Sequence, residues 1–285
     1  MEFTRPVSQL IPTRISVRTY DSRKISREDL SALDSCGSEI CAPFGSDLAF
    51  RVVHLPDLEE GYLASLGTYG VIRGASYYLL ASVKESLNAL VDFGYAFELM
   101  VLKAHDLGLG TCWLGGTFTR SAFAELLGVR PNHIVPCISS LGHYNPSMPM
   151  RDRAIRILAR SSKRLPWEKI FFHSDLKHPL REETVPKYAV PLEMLRLAPS
   201  ASNRQPWRII YDAGIFHFYR YRSSMYLAGM RLTKIPDLQL VDMGIAMAHF
   251  ELSAQEVGIT GAFETMRERK EFKGMDYVVS YKEEI

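Results

Sequence analysis

Residues 92–113 read DFGYAFELMVLKAHDLGLGTCW, and residues 242–263 read DMGIAMAHFELSAQEVGITGAF. The two stretches align at a constant offset of 150 positions. Asp92/Asp242, Gly94/Gly244, Ala96/Ala246, Leu102/Leu252, Ala104/Ala254 and Gly108/Gly258 are identical. Both predict a long helix of small and apolar residues that stops at a glycine, the usual residue for a left-handed helix end. A second echo lies upstream of each helix. Ala-Phe-Arg-Val-Val-His (49–54) matches Pro-Trp-Arg-Ile-Ile-Tyr (206–211), and both have the β-branched and aromatic content of a strand. A repeat this long indicates duplication of a domain and not a solenoid. The polar stretch Phe172-His-Ser-Asp-Leu-Lys-His-Pro-Leu (172–180) has linker composition, which divides the chain into halves 1–175 and 176–285.

Composition bounds what such a molecule can be. The chain has 285 residues, 47% hydrophobic and 23% charged, as expected of a globular protein. A net charge of +2, from 34 basic and 32 acidic residues, gives no special affinity for nucleic acid or an anionic membrane. The first residues lack the apolar core of a secretory signal, and no uncharged apolar run approaches the roughly 20 residues needed to span a bilayer. Cys36, Cys41, Cys112 and Cys137 show no metal-ligand spacing and read as thiols of a reducing compartment, so the expectation is a cytoplasmic protein without a metal site.

Two motifs carry chemistry. Pro-Ser-Ala-Ser-Asn-Arg-Gln-Pro-Trp (199–207) sets hydroxyls and amides between two prolines that cannot donate a backbone N–H, immediately before a strand. It is either a local Ser/Asn turn or a loop shaped for a polar ligand. Arg-Ile-Ser-Val-Arg-Thr-Tyr (14–20), if extended, puts Arg14, Ser16 and Arg18 on one face. Two guanidiniums and a hydroxyl on one face suit a phosphate, or form a solvated basic face. Ser26, with Asp29 three residues on, marks the next helix start.

Together these motifs resemble the FMN-dependent nitroreductase family. The resemblance implies an α+β fold, a three-layer α/β/α sandwich whose two homologous halves form an intramolecular pseudo-dimer. In that family Arg-x-Ser-x-Arg/Lys opens the subunit, its first Arg and Ser addressing the FMN phosphate and ribityl chain. The second basic residue lies near the flavin pyrimidine edge. Carried over, these are Arg14, Ser16 and Arg18. The glycine-dense stretch 108–116 resembles the segment whose backbone N–H approaches flavin N5, with Gly115 or Gly116 as the contact. Lys163-Arg164-Leu165-Pro166-Trp167-Glu168 resembles the C-terminal arm whose Arg reaches the phosphate, here Arg164. Pro199, Ser200, Asn203 and Gln205 stand for the flavin-contacting loop.

Each half holds what the other lacks. The first half reads Cys36-Gly-Ser-Glu-Ile-Cys-Ala-Pro-Phe-Gly-Ser-Asp-Leu-Ala-Phe (36–50) where the Pro-Ser-x-x-Asn loop belongs, and the second offers only Leu180–Pro186 in place of the basic signature. Family dimers build each flavin site from both subunits, so the resemblance implies one FMN per chain, between the halves. It implies hydride transfer from NADH or NADPH to a small acceptor such as a nitroaromatic or quinone, by a monomer with the character of a dimer. No Gly-x-Gly-x-x-Gly fingerprint is present. No catalytic acid or base is identified. A flavin storage or sensing module, or a scaffold acting through protein contacts, are the alternatives.

Overall fold

A computed structural model describes residues 1–55, 72–116, 118–145, 163–222 and 235–284. In chain order these hold α1 (Val7–Thr13), α2 (Arg27–Glu39), β1 (Leu48–His54), β2 (Tyr77–Lys84), α3 (Leu87–Asp106), β3 (Gly110–Leu114), α4 (Arg120–Leu127), β4 (His133–Ile134) and β5 (Ile138–Gly142). The second part of the chain holds β6 (Phe171–His173), α5 (Ala189–Arg196), β7 (Trp207–Asp212), β8 (Ile215–Tyr221), α6 (Leu238–Glu256), β9 (Gly261–Glu264) and β10 (Met275–Glu283).

The repeat is visible in the topology. The first sheet runs β1-β2-β5-β3, with β4 extending the edge of β2, and the second runs β7-β8-β10-β9 with β6 added beside β7. Apart from β4 and β6, the two orders are the same, and every pair in them is antiparallel. The echo at 49–54 and 206–211 falls on β1 and β7, which hold equivalent places. Helices α3 and α6 occupy equivalent places too, each between the second and third strands of its copy.

The two long helices pack against each other at the centre. Both are buried along nearly their whole length, as expected of helices that are apolar on all sides. They cross at the glycines of the repeat. A Cβ on Gly94 would lie 2.0 Å from the Val241 carbonyl oxygen, and one on Gly244 would lie 1.9 Å from that of Val91. Val91 and Val241 are themselves equivalent, so the contact is reciprocal, like that of an isologous dimer interface. Beyond the helix ends, Gly108 and Gly258 adopt φ of +77° and +80°, the left-handed conformation the sequence predicts there.

One core cluster joins both long helices to the inner faces of both sheets, through Leu79, Ala81 and Val83 of β2 and Trp207 and Ile209 of β7. The opposite face of β2 (Tyr78, Leu80) packs under α4 through Phe123, completing an α/β/α layering around the first sheet. The outer face of the second sheet buries Ile210 and Tyr219 against Leu176 and Phe272.

Two segments tie the copies together. Strand β6 pairs in parallel with β7, Phe171 opposite Ile209. This short strand, which precedes the second repeat in the chain, thus extends the edge of the second sheet. Helix α1 lies across the ends of both long helices. The Thr4 hydroxyl donates to Asp106 at 2.6 Å, and the Ser8 backbone N–H donates to Glu256 at 2.8 Å. The chain leaving α1 carries Arg14 to the junction of the halves. The Ser26 cap forms as expected, accepting from the Asp29 N–H at 3.0 Å.

Candidate functional site

A cavity of about 530 Å³ lies between the two copies. That volume falls in the roughly 300–1,000 Å³ range of small-molecule sites. Nine of the ten residues expected from the sequence line it: Arg14, Ser16, Arg18, Gly115, Gly116, Arg164, Pro199, Ser200 and Asn203.

The first wall comes from residues 14–18, which run beside β3. The Val17 N–H donates to the Thr111 carbonyl at 2.8 Å, forming an isolated parallel bridge at Ser16. This extended course sends Arg14, Ser16 and Arg18 to the cavity while Val17 enters the core. Strand β3 then ends at Gly115 and Gly116. The Arg120 guanidinium, at the start of α4, holds the Gly115 carbonyl and also donates to the Pro136 carbonyl at 3.2 Å.

The second wall is the loop 199–203, which is wound tightly. Ser202, Asn203 and Gln205 adopt φ of 51°, 52° and 49°, an uncommon run of left-handed non-glycine residues. Such backbone persists where surrounding bonds over-determine it. The Ser200 hydroxyl accepts from the Gln205 N–H at 2.9 Å. The Asn203 side-chain amide donates to the Lys163 carbonyl at 2.8 Å, and its oxygen accepts from Arg164 at 3.4 Å.

Gln205 departs from the expectation. It does not line the cavity. It is 4% exposed, accepts from the Leu165 N–H at 2.7 Å and donates to the Lys163 carbonyl at 3.3 Å. Its amide matches the backbone of the arm that carries Arg164, so it supports the site from behind.

The electrostatics favour an anion. The Arg14 side chain is 8% exposed and lies 4.0 Å from Glu98, yet its Nη1 has no hydrogen-bond partner among the described residues. Arg164 donates to the Leu197 carbonyl through Nε and Nη2, at 3.1 and 2.8 Å. Burial pushes its guanidinium down to about 10, and the neighbouring cations Arg14 and Arg196 push in the same direction. Crowded, partly desolvated cations with an unused donor are what a phosphate-sized anion relieves.

Several contributors were not read from the sequence as site residues. Leu238, Val241, Asp242 and Ile245 present one face of α6 to the cavity. Asp242 was visible only as an identity of the repeat. The others look like core, because a helix buried on every side shows no distinctive face. Behind Arg14, Glu98 of α3 accepts from the Trp113 indole at 2.8 Å and lies 2.9 Å from His249 Nε2 of α6. The His249 Nδ1 donates to the Met194 carbonyl at 3.0 Å. Glu98 is fully buried and His249 is 1% exposed, so both halves supply the support of Arg14. Among the described residues no cluster of His, Cys, Asp and Glu could hold a metal ion, and no helix is long and apolar enough to cross a membrane.

Two copies of one α+β unit share an interfacial cavity lined by Arg14, Arg18 and Arg164 and by one largely apolar face of α6, which defines a fused, two-copy class of α+β protein. The same fold is seen in a putative nitroreductase from Thermotoga maritima MSB8. That structure aligns with a TM-score of 0.59 at 22% identity, over 99% of this chain and 94% of that one. The chain belongs to the family described as "Putative TM nitroreductase", whose model matches residues 6–254. A protein of Archaeoglobus fulgidus named "Putative NADH dehydrogenase/NAD(P)H nitroreductase" is 29% identical over 148 residues. That match takes in 83% of the relative but 47% of this chain, as a duplicated chain requires. An FMN-bound nitroreductase from Desulfitobacterium hafniense DCB-2 aligns with 51% of this chain and 93% of its own, at 21% identity and a TM-score of 0.42.

Proposed function

We propose that this oxidoreductase uses FMN, takes hydride from NADH or NADPH and passes it to a small acceptor such as a nitroaromatic or quinone. The observation that carries the reading is the convergence of residues 14–18 and 199–203 on one cavity, with the buried Arg14 Nη1 unsatisfied. When bound, FMN supplies the reversible hydride chemistry; the protein supplies binding, orientation and charge. Arg14 and Arg164 hold the phosphate, with Ser16 beside them. Arg18, whose guanidinium lies 3.5 Å from the Ser16 carbonyl, supplies positive charge that favours the reduced, anionic ring. The Gly115–Gly116 turn, held by Arg120, offers backbone N–H donors. Pro199, Ser200 and Asn203 close the site from the second copy.

We take residues 1–175 and 176–285 as the two copies, with β6 extending the second sheet. One flavin per chain is favoured by the state of the equivalent position in the other copy. There Tyr95 replaces Ile245, and its hydroxyl donates to Glu251. The loop before β1 donates the Phe44 and Ser46 N–H groups to Asp92, both at 2.9 Å, and lacks the Ser and Asn of 200–203. Residues 182–188, in place of a basic strand, form two short 3-10 turns.

The expected result is a yellow protein holding about one FMN per chain, with flavin absorbance bleached by NADH or NADPH in anaerobic stopped flow. Bleaching followed by reoxidation with an added quinone separates turnover from storage. A colourless preparation that takes up no added FMN sinks the reading.

A further inference from the structure

Asp92 and Asp242 hold the same place in the repeat, and one oxygen distinguishes them. Each lies buried near the N-terminal end of a long helix, and each accepts from the backbone of the loop before the first strand of its own copy. Both oxygens of Asp92 are engaged: Oδ1 accepts from Phe44 and Oδ2 from Ser46. Asp242 is half used. Its Oδ1 accepts from the Ala201 N–H at 2.8 Å, while Oδ2 is buried and has no hydrogen-bond partner among the described residues. Asp242 is 2% exposed and lines the cavity between the copies. A buried polar atom left unpaired is costly, so an orphan oxygen on a cavity wall points to a ligand.

The surroundings decide which form of the carboxyl faces that ligand. Its neighbours on α6, Leu238, Val241 and Ile245, are apolar. Burial drives the Asp242 carboxyl well above the usual carboxylate range, the Ala201 N–H opposes this, and the negative Asp237 at the start of α6 adds to it. Cys137, from the chain entering β5, faces it as a thiol held neutral by burial. The loop 199–203 brings hydroxyls and an amide but no charge. Arg14, Arg18 and Arg164 also line the cavity, and none of them is among the groups that shift the Asp242 carboxyl. Because Oδ1 accepts from an N–H, the proton of the neutral acid resides on Oδ2, which makes Oδ2 a donor.

We propose that Asp242 is a ligand-contacting residue, its Oδ2 hydroxyl donating a hydrogen bond to an acceptor atom of the flavin in this cavity. The inference rests on the FMN reading above. A carboxylate in the same place would lose the donor and set a negative charge beside an anionic cofactor. FMN therefore binds the protonated form, and affinity falls as pH rises through the ionisation of Asp242.

The test is FMN titration of the full-length apoprotein by flavin fluorescence quenching, from about pH 6 to about pH 9.5, a span that covers documented buried carboxyls. Wild type is expected to weaken about tenfold at the alkaline end relative to Asp242→Asn. Asp242→Asn places an amide donor that does not ionise beside the Ala201 tether, so its affinity is expected to be the same at both ends of the pH range. Asp92→Asn, the equivalent change outside the cavity, is expected to retain the wild-type profile. Calorimetry at alkaline pH, in buffers of differing ionisation enthalpy, provides a reading on wild type alone: binding takes up a proton. Identical pH profiles for wild type and Asp242→Asn, or no proton uptake, overturn the proposal while leaving the flavin reading intact. Wild type that binds no FMN at any pH overturns both.

Discussion

Replacing Gly244 by alanine is expected to lower the melting temperature by about 8 °C or more, from a loss on the order of 3 kcal/mol. In an exposed helix interior the same change is favourable by about 1 kcal/mol, because alanine restricts the unfolded chain and suits helical backbone. Here the sign reverses. The new Cβ would meet the Val91 carbonyl oxygen at 1.9 Å and the Tyr95 nitrogen at 2.5 Å. Both are backbone atoms of α3, so no side-chain rotation relieves the overlap. The helices must separate, and a close-packed interior does not absorb such a shift without voids. Gly94→Ala meets the Val241 carbonyl at 2.0 Å and is expected to behave alike. Since both methyls push at one crossing, the double variant costs less than the sum of the single ones. Thermal and urea melts followed by circular dichroism measure all three. An unchanged or raised melting temperature for Gly244→Ala contradicts the reciprocal crossing. The displacement also moves the cavity wall carried by α6, so the surviving folded fraction is expected to hold less flavin.

The same two glycines show how far the sequence could be read. Their offset of 150 exposes the duplication, and duplication predicts two sheets of one strand order, which the structure has. The pairing of β6 with β7 was not legible. Three residues, Phe171–His173, are too few to show a period, and their partner lies more than thirty positions away in a parallel pairing that no hairpin turn announces. Arg14, Ser16 and Arg18 were legible because an extended segment obeys strict alternation, so their common face follows from their spacing. Gln205 was not. An amide in a polar loop reads alike whether it faces a ligand or a backbone, and only its burial against residues 163–165 decides. Asp242 and the Glu98–His249 pair were hidden for a related reason. Helices buried all round have no polar face to betray a site, and Glu98 and His249 are 151 positions apart.

The second large effect is expected at Arg14: alanine there weakens FMN binding about a hundredfold, on the order of 3 kcal/mol, the scale of losing a buried charge-assisted partner. The loss arises mainly in the complex. In the free protein Arg14 is crowded by Arg164, whose guanidinium is held low by burial and by Arg14 itself. Removing Arg14 relaxes that repulsion. Glu98 loses a cation 4.0 Å away but keeps its contacts with His249 at 2.9 Å and Trp113 at 2.8 Å. The apoprotein melting temperature is therefore expected to move by no more than a few degrees, while the dissociation constant moves by two decades. Arg14→Lys restores the charge without the planar fork and recovers part of the affinity. Asn203→Ala acts from the other copy. It removes the Asn203 contacts with Arg164 and with the Lys163 carbonyl, for a loss of about tenfold. Flavin fluorescence titration at two salt concentrations checks both, with Arg14→Ala showing the weaker salt dependence because one cation no longer faces the phosphate. Wild-type affinity in Arg14→Ala and Asn203→Ala alike would mean that the two copies do not build one flavin site, and the convergence of their motifs on this cavity would need another explanation.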